Sequence, residues 1–462
     1  MSAAPQMSPD AALTAELLEG RDAFNALEKE WNLALAKGPR DEPMLRHEWA
    51  RAFLENFAAS AVLRTFVVRS GKELHAAMPL VESKDRSADT CFVTMTTWAT
   101  PTNDHSQRGG ILLGRRGAES LPLLWQKLLE TQGWDRLRVR DLPQGAAEWK
   151  LRELAGRAGF PEGTWTSLRS PYLPLPELPK PALVPEPAKA SSGPEAPVQA
   201  GGNPDAPAQP SAGPEAPAES PLADRTRPRT QKPQKQKQPG PNLAVAQPGR
   251  FEHVLGRLDA KFRANLRRRR RRLAEQGEVK YVQLDGKDAA KLDLGLADFF
   301  TIEASGWKGK GGTAIAQRPE LVGFYTQIAR DAAKRGALSL GFLELSGKRI
   351  AAHLSILHAG RHFLLKLGYD EAFAEFSPGQ QLVHDAIEDA CKRGLLEFDF
   401  LGPFMEWKAD WETGFRSHAW LTIFRPTQKA VLVAGARFTA WPIARSLLGR
   451  ARERVLSLRK EL

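Results

Sequence analysis

Apolar positions along this chain recur in two rhythms, and one long stretch has neither. Over residues 45–57 they fall three and four apart, the spacing that lines one face of a helix. Residues 62–68 and 74–80 are short apolar runs, and Ser70-Gly71-Lys72 between them predicts a hairpin turn. A strand over 91–98, a polar loop at Asn103-Asp104-His105-Ser106, a helix near 121–129 and a strand over 137–141 complete a first mixed region. The rhythms return later. A helix carrying six consecutive arginines, Arg267 to Arg272, precedes a strand over 279–284 and helices over 292–304 and 319–335. Strands over 338–345, 349–357 and 362–367 then form an antiparallel meander. After Ser377-Pro378-Gly379 a helix runs over 380–392, Gly394 stops it, and a short strand covers 396–401. Past residue 425 the chain is a basic amphipathic tail broken by Pro442.

The two patterned regions share a hairpin. Residues 68–77 read V-R-S-G-K-E-L-H-A-A and residues 344–353 read E-L-S-G-K-R-I-A-A-H, and each leads into an apolar strand and then a helix. This points to an internal duplication. Between the copies, residues 176–250 are rich in Pro, Ala, Gly, Ser and Gln. G-P-E-A-P at Gly193, N-P-D-A-P at Asn203 and G-P-E-A-P at Gly213 recur there every ten residues. So little apolar surface cannot offset the entropy of ordering, which predicts a long disordered linker. The domain map expected is therefore a lobe over 1–175, a linker over 176–250, a second lobe over 251–425 and a tail over 426–462.

Bulk properties change the picture in one respect. The 462 residues, 42% hydrophobic and 26% charged, suit globular domains, but the formal net charge of +12 favours an anionic partner. Cys91 and Cys391 are the only cysteines, each within an apolar segment, as in a reducing compartment. The first residues lack the basic flank and apolar core of a secretory signal, and no run reaches the roughly 20 apolar residues of a membrane span. A cytoplasmic protein is expected, with peripheral contact at an anionic inner-membrane face left open for the basic tail. No aromatic residues interleave with the arginines, so nucleic acid is not the expected partner. No cluster with metal-ligand spacing stands out, and the loop G-W-K-G-K-G-G-T from Gly306 has glycine at Gly312 where a P-loop needs lysine.

A strand, a glycine turn and a helix N-terminus form a site suited to a pyrophosphate, because the first N–H groups of a helix lack internal partners. Ser377-Pro378-Gly379 supplies that arrangement. Around it stand E-A-S-G-W-K-G at Glu303 to Gly309, D-F-L-G at Asp399 to Gly402 and E-W-K at Glu406 to Lys408. This set resembles the GNAT-like acyltransferases of the cellulose-biosynthesis CelD type, relatives of the FemABX peptidoglycan aminoacyltransferases. The resemblance covers residues 251–425 well and the N-terminal part loosely.

The resemblance implies an α/β (α+β) fold of tandem GNAT-like lobes, the first degenerate, with acyl-CoA as co-substrate and no bound cofactor. It assigns donor binding to Ser377, Gly379, Gln380 and Gln381, and carbonyl polarisation to a backbone N–H near residues 367–369. Asp399, a carboxylate inside the apolar run F-D-F-L, is the expected base, with pairing to Lys408 or an arginine as the competing reading. Glu303 is the second candidate. Residues 403–415 hold no tyrosine, so Tyr369 is the expected acid. Trp307, Lys308 and Lys408 are assigned to the acceptor. The implied activity is transfer of an acyl group, acetyl foremost, to an amine or hydroxyl of a sugar, polysaccharide precursor or cell-envelope molecule. An aminoacyl-tRNA-dependent ligase and a non-catalytic scaffold remain the alternatives.

Overall fold

The computed structural model describes residues 12–176, 249–306, 311–411 and 413–440. Among them thirteen strands join one sheet: β1 Thr14–Glu19, β2 Leu63–Ser70, β3 Glu73–Asp85, β4 Met95–Ala99, β5 Leu112–Leu113, β6 Arg136–Pro143, β7 Glu162–Pro174, β8 Val279–Leu284, β9 Leu338–Leu345, β10 Lys348–His358, β11 Arg361–Tyr369, β12 Glu397–Asp399 and β13 Gly414–Phe424. The order across the sheet is β1-β2-β3-β4-β6-β13-β7-β12-β11-β10-β9-β8, with β5 set against β3.

That order is a duplication written in strands. From either edge inward, four strands pair antiparallel, and a fifth (β6 or β12) joins the fourth in parallel. Past the residues paired in parallel, each copy turns left-handed at a non-glycine residue, Asp141 (φ 51°, within β6) and Leu401 (φ 49°, after β12), two residues before a proline. The last strand of each copy is exchanged. β7 of the first half pairs with β12, β13 of the second half pairs with β6, and β7 and β13 pair with each other. Borders drawn near residues 175 and 425 therefore separate each half from a strand that the other supplies.

The shared hairpin is equivalent, but not in the register its Ser-Gly-Lys triplets suggest. Ser70 pairs with Glu73, and Leu345 pairs with Lys348. The turn residues are thus Gly71-Lys72 in one copy and Ser346-Gly347 in the other, one position apart. What coincides is a bulge, at His75 and at Ile350, followed by Ala76-Ala77 and Ala351-Ala352. A bulge re-aims a strand and is costly to lose, so it outlasts turn chemistry. The second turn, Ser346 (φ 48°) and Gly347 (φ 84°), has both central residues left-handed, matching the twist of the strands it joins.

Helices cover both faces, which is why β10 and β11 read as continuous apolar runs rather than alternating ones. Phe363 and Leu365 of β11 face the helices Ala289–Ser305 and Pro319–Lys334, whereas Leu364 faces Arg250–Arg257 and Pro378–Lys392. The halves also meet through helices. His47–Phe57 packs on Pro319–Lys334, with Trp49 edge-on to Phe324 at 5.6 Å between ring centroids and Arg51 3.0 Å from Asp331. Burying two such aromatic rings contributes on the order of 2–3 kcal/mol each.

Most expected elements are present within two or three residues of the expected bounds. The strand expected over 91–98 begins only at Met95, because Ser87 and Thr90 form a capping box that winds Ala88–Thr90 into a short 3-10 turn. The strand over 396–401 is three residues long because Leu401 turns left-handed. The linker and most of the tail lie outside the described residues. Among those described, no helix is long and apolar enough to cross a membrane.

Candidate active site

β11 and β12 run side by side for only three residues, Arg361 to Phe363 against Glu397 to Asp399. β11 then continues to Tyr369 while the chain after β12 turns away. The strands part, and a cavity of about 600 Å³ opens between them. One wall is residues 364–367 of β11, which lie beyond the last residue paired with β12. A second is the start of the helix Pro378–Lys392, and a third is formed by Gly402, Pro403, Trp407 and Lys408.

At the helix start, Ser377 is left-handed (φ 49°, ψ 56°) and no side chain caps the first turn. Arg269 Nη1 donates to Ser377 Oγ at 2.5 Å. Gly379 is helical and buried, so its value is not a positive φ but closeness: a Cβ there would stand 3.3 Å from Tyr369 Cδ1 and 3.7 Å from Leu367 Cδ2. Gln380 Nε2 donates to Trp407 O (3.0 Å) and its Oε1 accepts from Trp411 Nε1 (2.7 Å). Gln381 Nε2 donates to Phe376 O at 2.9 Å. Both carboxamides are thus spent on holding the helix start against its neighbours. Its backbone N–H groups and the positive end of its dipole are what it presents to the cavity.

Tyr369 and Lys408 also line the cavity. Lys408 is 5% exposed, and its Nζ donates to Leu401 O (2.7 Å), Pro403 O (3.0 Å) and Phe400 O (3.5 Å). It clamps the turn that follows β12. Burial pulls its pKa down to about 8 against the opposing pull of Asp399.

The structure places Asp399 elsewhere. It is fully buried, it does not line the cavity, and its carboxylate is held by Arg108 and by Arg416 Nη1 at 3.1 Å, while Leu401 N donates to Oδ1 at 2.9 Å. The arginine pairing is what occupies this carboxylate, and a base needs access to substrate. Glu303 is also buried and does not line the cavity: it packs behind Gly368 of β11 and accepts from Ile315 N at 2.9 Å. Trp307 and Lys308 lie outside the described residues.

The partner of Asp399 comes from the other half of the protein. Arg108, on the loop after β4, is fully buried and also meets Glu42 Oε1 at 3.0 Å. Burial opposes its charge, but Asp399 and Glu42 outweigh it and raise its pKa above the ordinary value. Burial likewise works to raise the pKa of Glu42, yet Arg108, Arg40 and Arg361 bring it down to about 2. The same loop sends Asp104 and Gln107 to the cavity wall, and His105 Nδ1 shares a 3.0 Å hydrogen bond with the Tyr325 hydroxyl. Sequence reading singled out Asn103 to Ser106 as a polar loop but gave it no role. Its only signal was polarity over a longer span than a strand connection needs.

A second cavity, of about 670 Å³, lies between Arg250–Arg257, Ala260–Ala274 and Pro378–Lys392. It does not reach the parted strands. Arg270 meets Asp385 at 2.9 Å there, His384 Nδ1 lies 3.0 Å from the same carboxylate, and Glu388, whose carboxylate comes within 4.8 Å of both, pairs with Lys392.

An antiparallel meander, a parallel fifth strand that parts from the fourth, and a helix start at the parting together suggest a particular domain. Residues 260–409 match the family model of the acetyltransferase (GNAT) domain. The match spans the arginine helix, the meander, Lys408 and every wall of the cavity except Asp104 and Gln107. No curated protein matches the chain. Among solved structures, FemX superposes with a TM-score of 0.49 at 10% identity, over 88% of this chain and 96% of that one. The C-terminal domain of a putative lysylphosphatidylglycerol synthetase from Agrobacterium fabrum gives 0.45 at 10% identity, over 89% and 96%. A tandem GNAT protein from the clavulanic acid biosynthesis pathway gives 0.38 at 11% identity, over 90% and 100%. At such scores these likenesses carry no functional weight. The acyltransferase character of the fold rests on the domain match and on the strands themselves.

Proposed function

We propose that the chain moves an acyl group from acyl-CoA to an amine or hydroxyl acceptor, and that the cavity between β11 and β12 is where it does so. The observation that carries this reading is the parting of the two strands after Phe363 and Asp399, with an uncapped helix start opening onto the gap. The gap supplies two things a thioester donor requires. The helix start offers N–H groups and a positive dipole end to the pyrophosphate. The stretch of β11 past Phe363, where β12 has turned away, offers backbone groups to the pantetheine arm and the thioester carbonyl.

In the reaction the acceptor nitrogen or oxygen attacks the thioester carbon, the carbon–sulfur bond breaks, and the thiolate takes up a proton. Tyr369, at the cavity wall, is our assignment for returning that proton. The role proposed for Asp399 is positional: it holds Arg108 and, through Leu401 N, the turn beside the cavity. Asp104 is the carboxylate that lines the cavity; Arg140 Nη2 donates to its Oδ1 at 2.6 Å, and its exposed Oδ2 is our candidate for receiving the acceptor's proton. The acceptor class, a sugar, polysaccharide precursor or other cell-envelope molecule, follows from the resemblance of the motifs alone.

Calorimetric titration with acetyl-CoA tests the reading. Wild type should bind, and Gly379→Asp, which sets bulk and negative charge at the helix start, should bind at least about tenfold more weakly, the loss of one charge-assisted contact of about 1.5–3 kcal/mol. Gly379→Ala controls for crowding against Tyr369. Equal binding by a folded Asp variant would remove the helix start from the site. Binding of aminoacyl-tRNA in place of acetyl-CoA would change the donor.

A further inference from the structure

One polar group in the cavity has no work within the protein. Gln107 is 8% exposed and lines the cavity, yet its carboxamide makes no hydrogen bond among the described residues. The residue is held nearly buried while its carboxamide opens into the cavity, where a molecule that enters can bond it. The other amide at the wall, Gln380, is satisfied at both ends.

The backbone at Gln107 makes the residue's presence more telling. Its φ is 66°, a left-handed conformation that asparagine or glycine would adopt with less strain. Its neighbour Arg108 holds it there, since that side chain is fixed between Glu42 and Asp399. The first half thus reaches into the second half's cavity on a strained, anchored residue and presents a neutral group that both donates and accepts. A Cβ built on Gly402 would stand 3.4 Å from Gln107 Oε1 and 3.7 Å from Lys408 Nζ, which puts the carboxamide on the wall that β12 leaves when it turns away.

We propose that Gln107 binds the pantetheine arm of the acyl donor through one of its secondary amides. The inference rests on the acyl-CoA reading of the cavity. A secondary amide presents one N–H and one carbonyl, and a primary carboxamide complements both. A phosphate or carboxylate would instead call for a cation. The helix start with Gly379 and the Gln107 wall are parts of one cavity, so a donor anchored by its pyrophosphate at the first extends its arm past the second.

The test uses two probes, CoA and adenosine 3′,5′-bisphosphate, the nucleotide end without the arm and without the outer phosphate. Against Gln107→Leu, CoA binding should weaken about two- to tenfold, the span of one neutral hydrogen bond, and bisphosphate binding should not change. Gln107→Gly removes the same group while relieving the left-handed strain. It should melt no lower than wild type and still show the CoA loss. If both folded variants bind CoA as wild type does, Gln107 does not touch the arm, and the donor reading of the cavity survives. Equal weakening for both probes would make its role structural and overturn the inference. Should wild type bind neither probe, the acyl-CoA reading itself falls.

Discussion

Replacing Arg108 by Ala tests how the two halves are held together. The wild-type guanidinium is fully enclosed, meets Asp399 and Glu42, and sits 5.9 Å from the centroid of the Phe363 ring. Removing one partner of a buried pair leaves the other charge uncompensated and costs about 3–5 kcal/mol. Here Asp399 keeps Arg416 at 3.1 Å and Glu42 keeps Arg40 at 3.2 Å, so the lower end, about 3 kcal/mol, is expected. That is roughly 150-fold in the folding equilibrium. Urea unfolding at pH 7, followed by tryptophan fluorescence and circular dichroism, measures it. The pH dependence gives a second reading. The folded pKa of Glu42, about 2, is below its ordinary value of 4.5, so its contribution is present above pH 4.5 and is lost as pH falls toward 2. The variant should lose part of that dependence. A loss under about 1 kcal/mol with an unchanged acid limb would mean that the pairings across the halves add little. Arg108→Lys keeps the charge but not the fork and should fall between the two.

Other outcomes are as specific. His353 is buried, and burial brings its pKa down to about 3, so it is neutral when folded. Below pH 6.5 the unfolded chain binds the extra proton, and stability should fall by a few kcal/mol as pH drops from 6.5 toward 3, a slope that His353→Leu flattens in urea titrations. For Lys408, with a folded pKa of about 8 against an ordinary 10.5, the unfolded chain binds more protons between those values. Its contribution therefore rises with pH across that window. Lys408→Met should remove this rise and, by leaving the carbonyls of Leu401 and Pro403 unmet, lower stability at pH 7 by about 1–3 kcal/mol in chemical denaturation. Gly379→Ala should move the melting temperature little, because the helix-propensity gain of up to about 1 kcal/mol offsets the few tenths of an ångström that Tyr369 must yield.

The second half was legible because its signals are local. The meander, the helix opened by Pro378 and the strand 279–284 follow from spacing and turn residues within a few positions. β7 and β13 were not anticipated. Residues 162–174, E-G-T-W-T-S-L-R-S-P-Y-L-P, show no clean alternation, and they are strands because each finds a partner more than two hundred residues away. The site divides in the same way. Ser377 and Gly379, which line the cavity, stand in a contiguous motif, and Tyr369 was chosen for want of a tyrosine in residues 403–415, whereas Gln107 and Arg108 matter only through what lies across from them, Gly402 and Asp399. A lone arginine after a polar loop carries no sign of the carboxylate it will meet. Asp399 was noticed for the right reason, a charge in an apolar strand, but the same observation fits a base and an ion pair equally, and only the partner decides.

The exchanged strands impose an order on synthesis. β7 leaves the ribosome with neither neighbour made: β12 and β13 follow roughly 220 and 240 residues later. At about 5–20 residues per second the delay is on the order of 10–50 seconds. Through it the first half offers two bare edges, β6 and β7, to any extended segment nearby. β13 is the keystone laid last, closing one copy and joining it to the other in the same event. A chain terminated just before Gly414 would lack one strand of thirteen, yet it would leave both copies open at the centre.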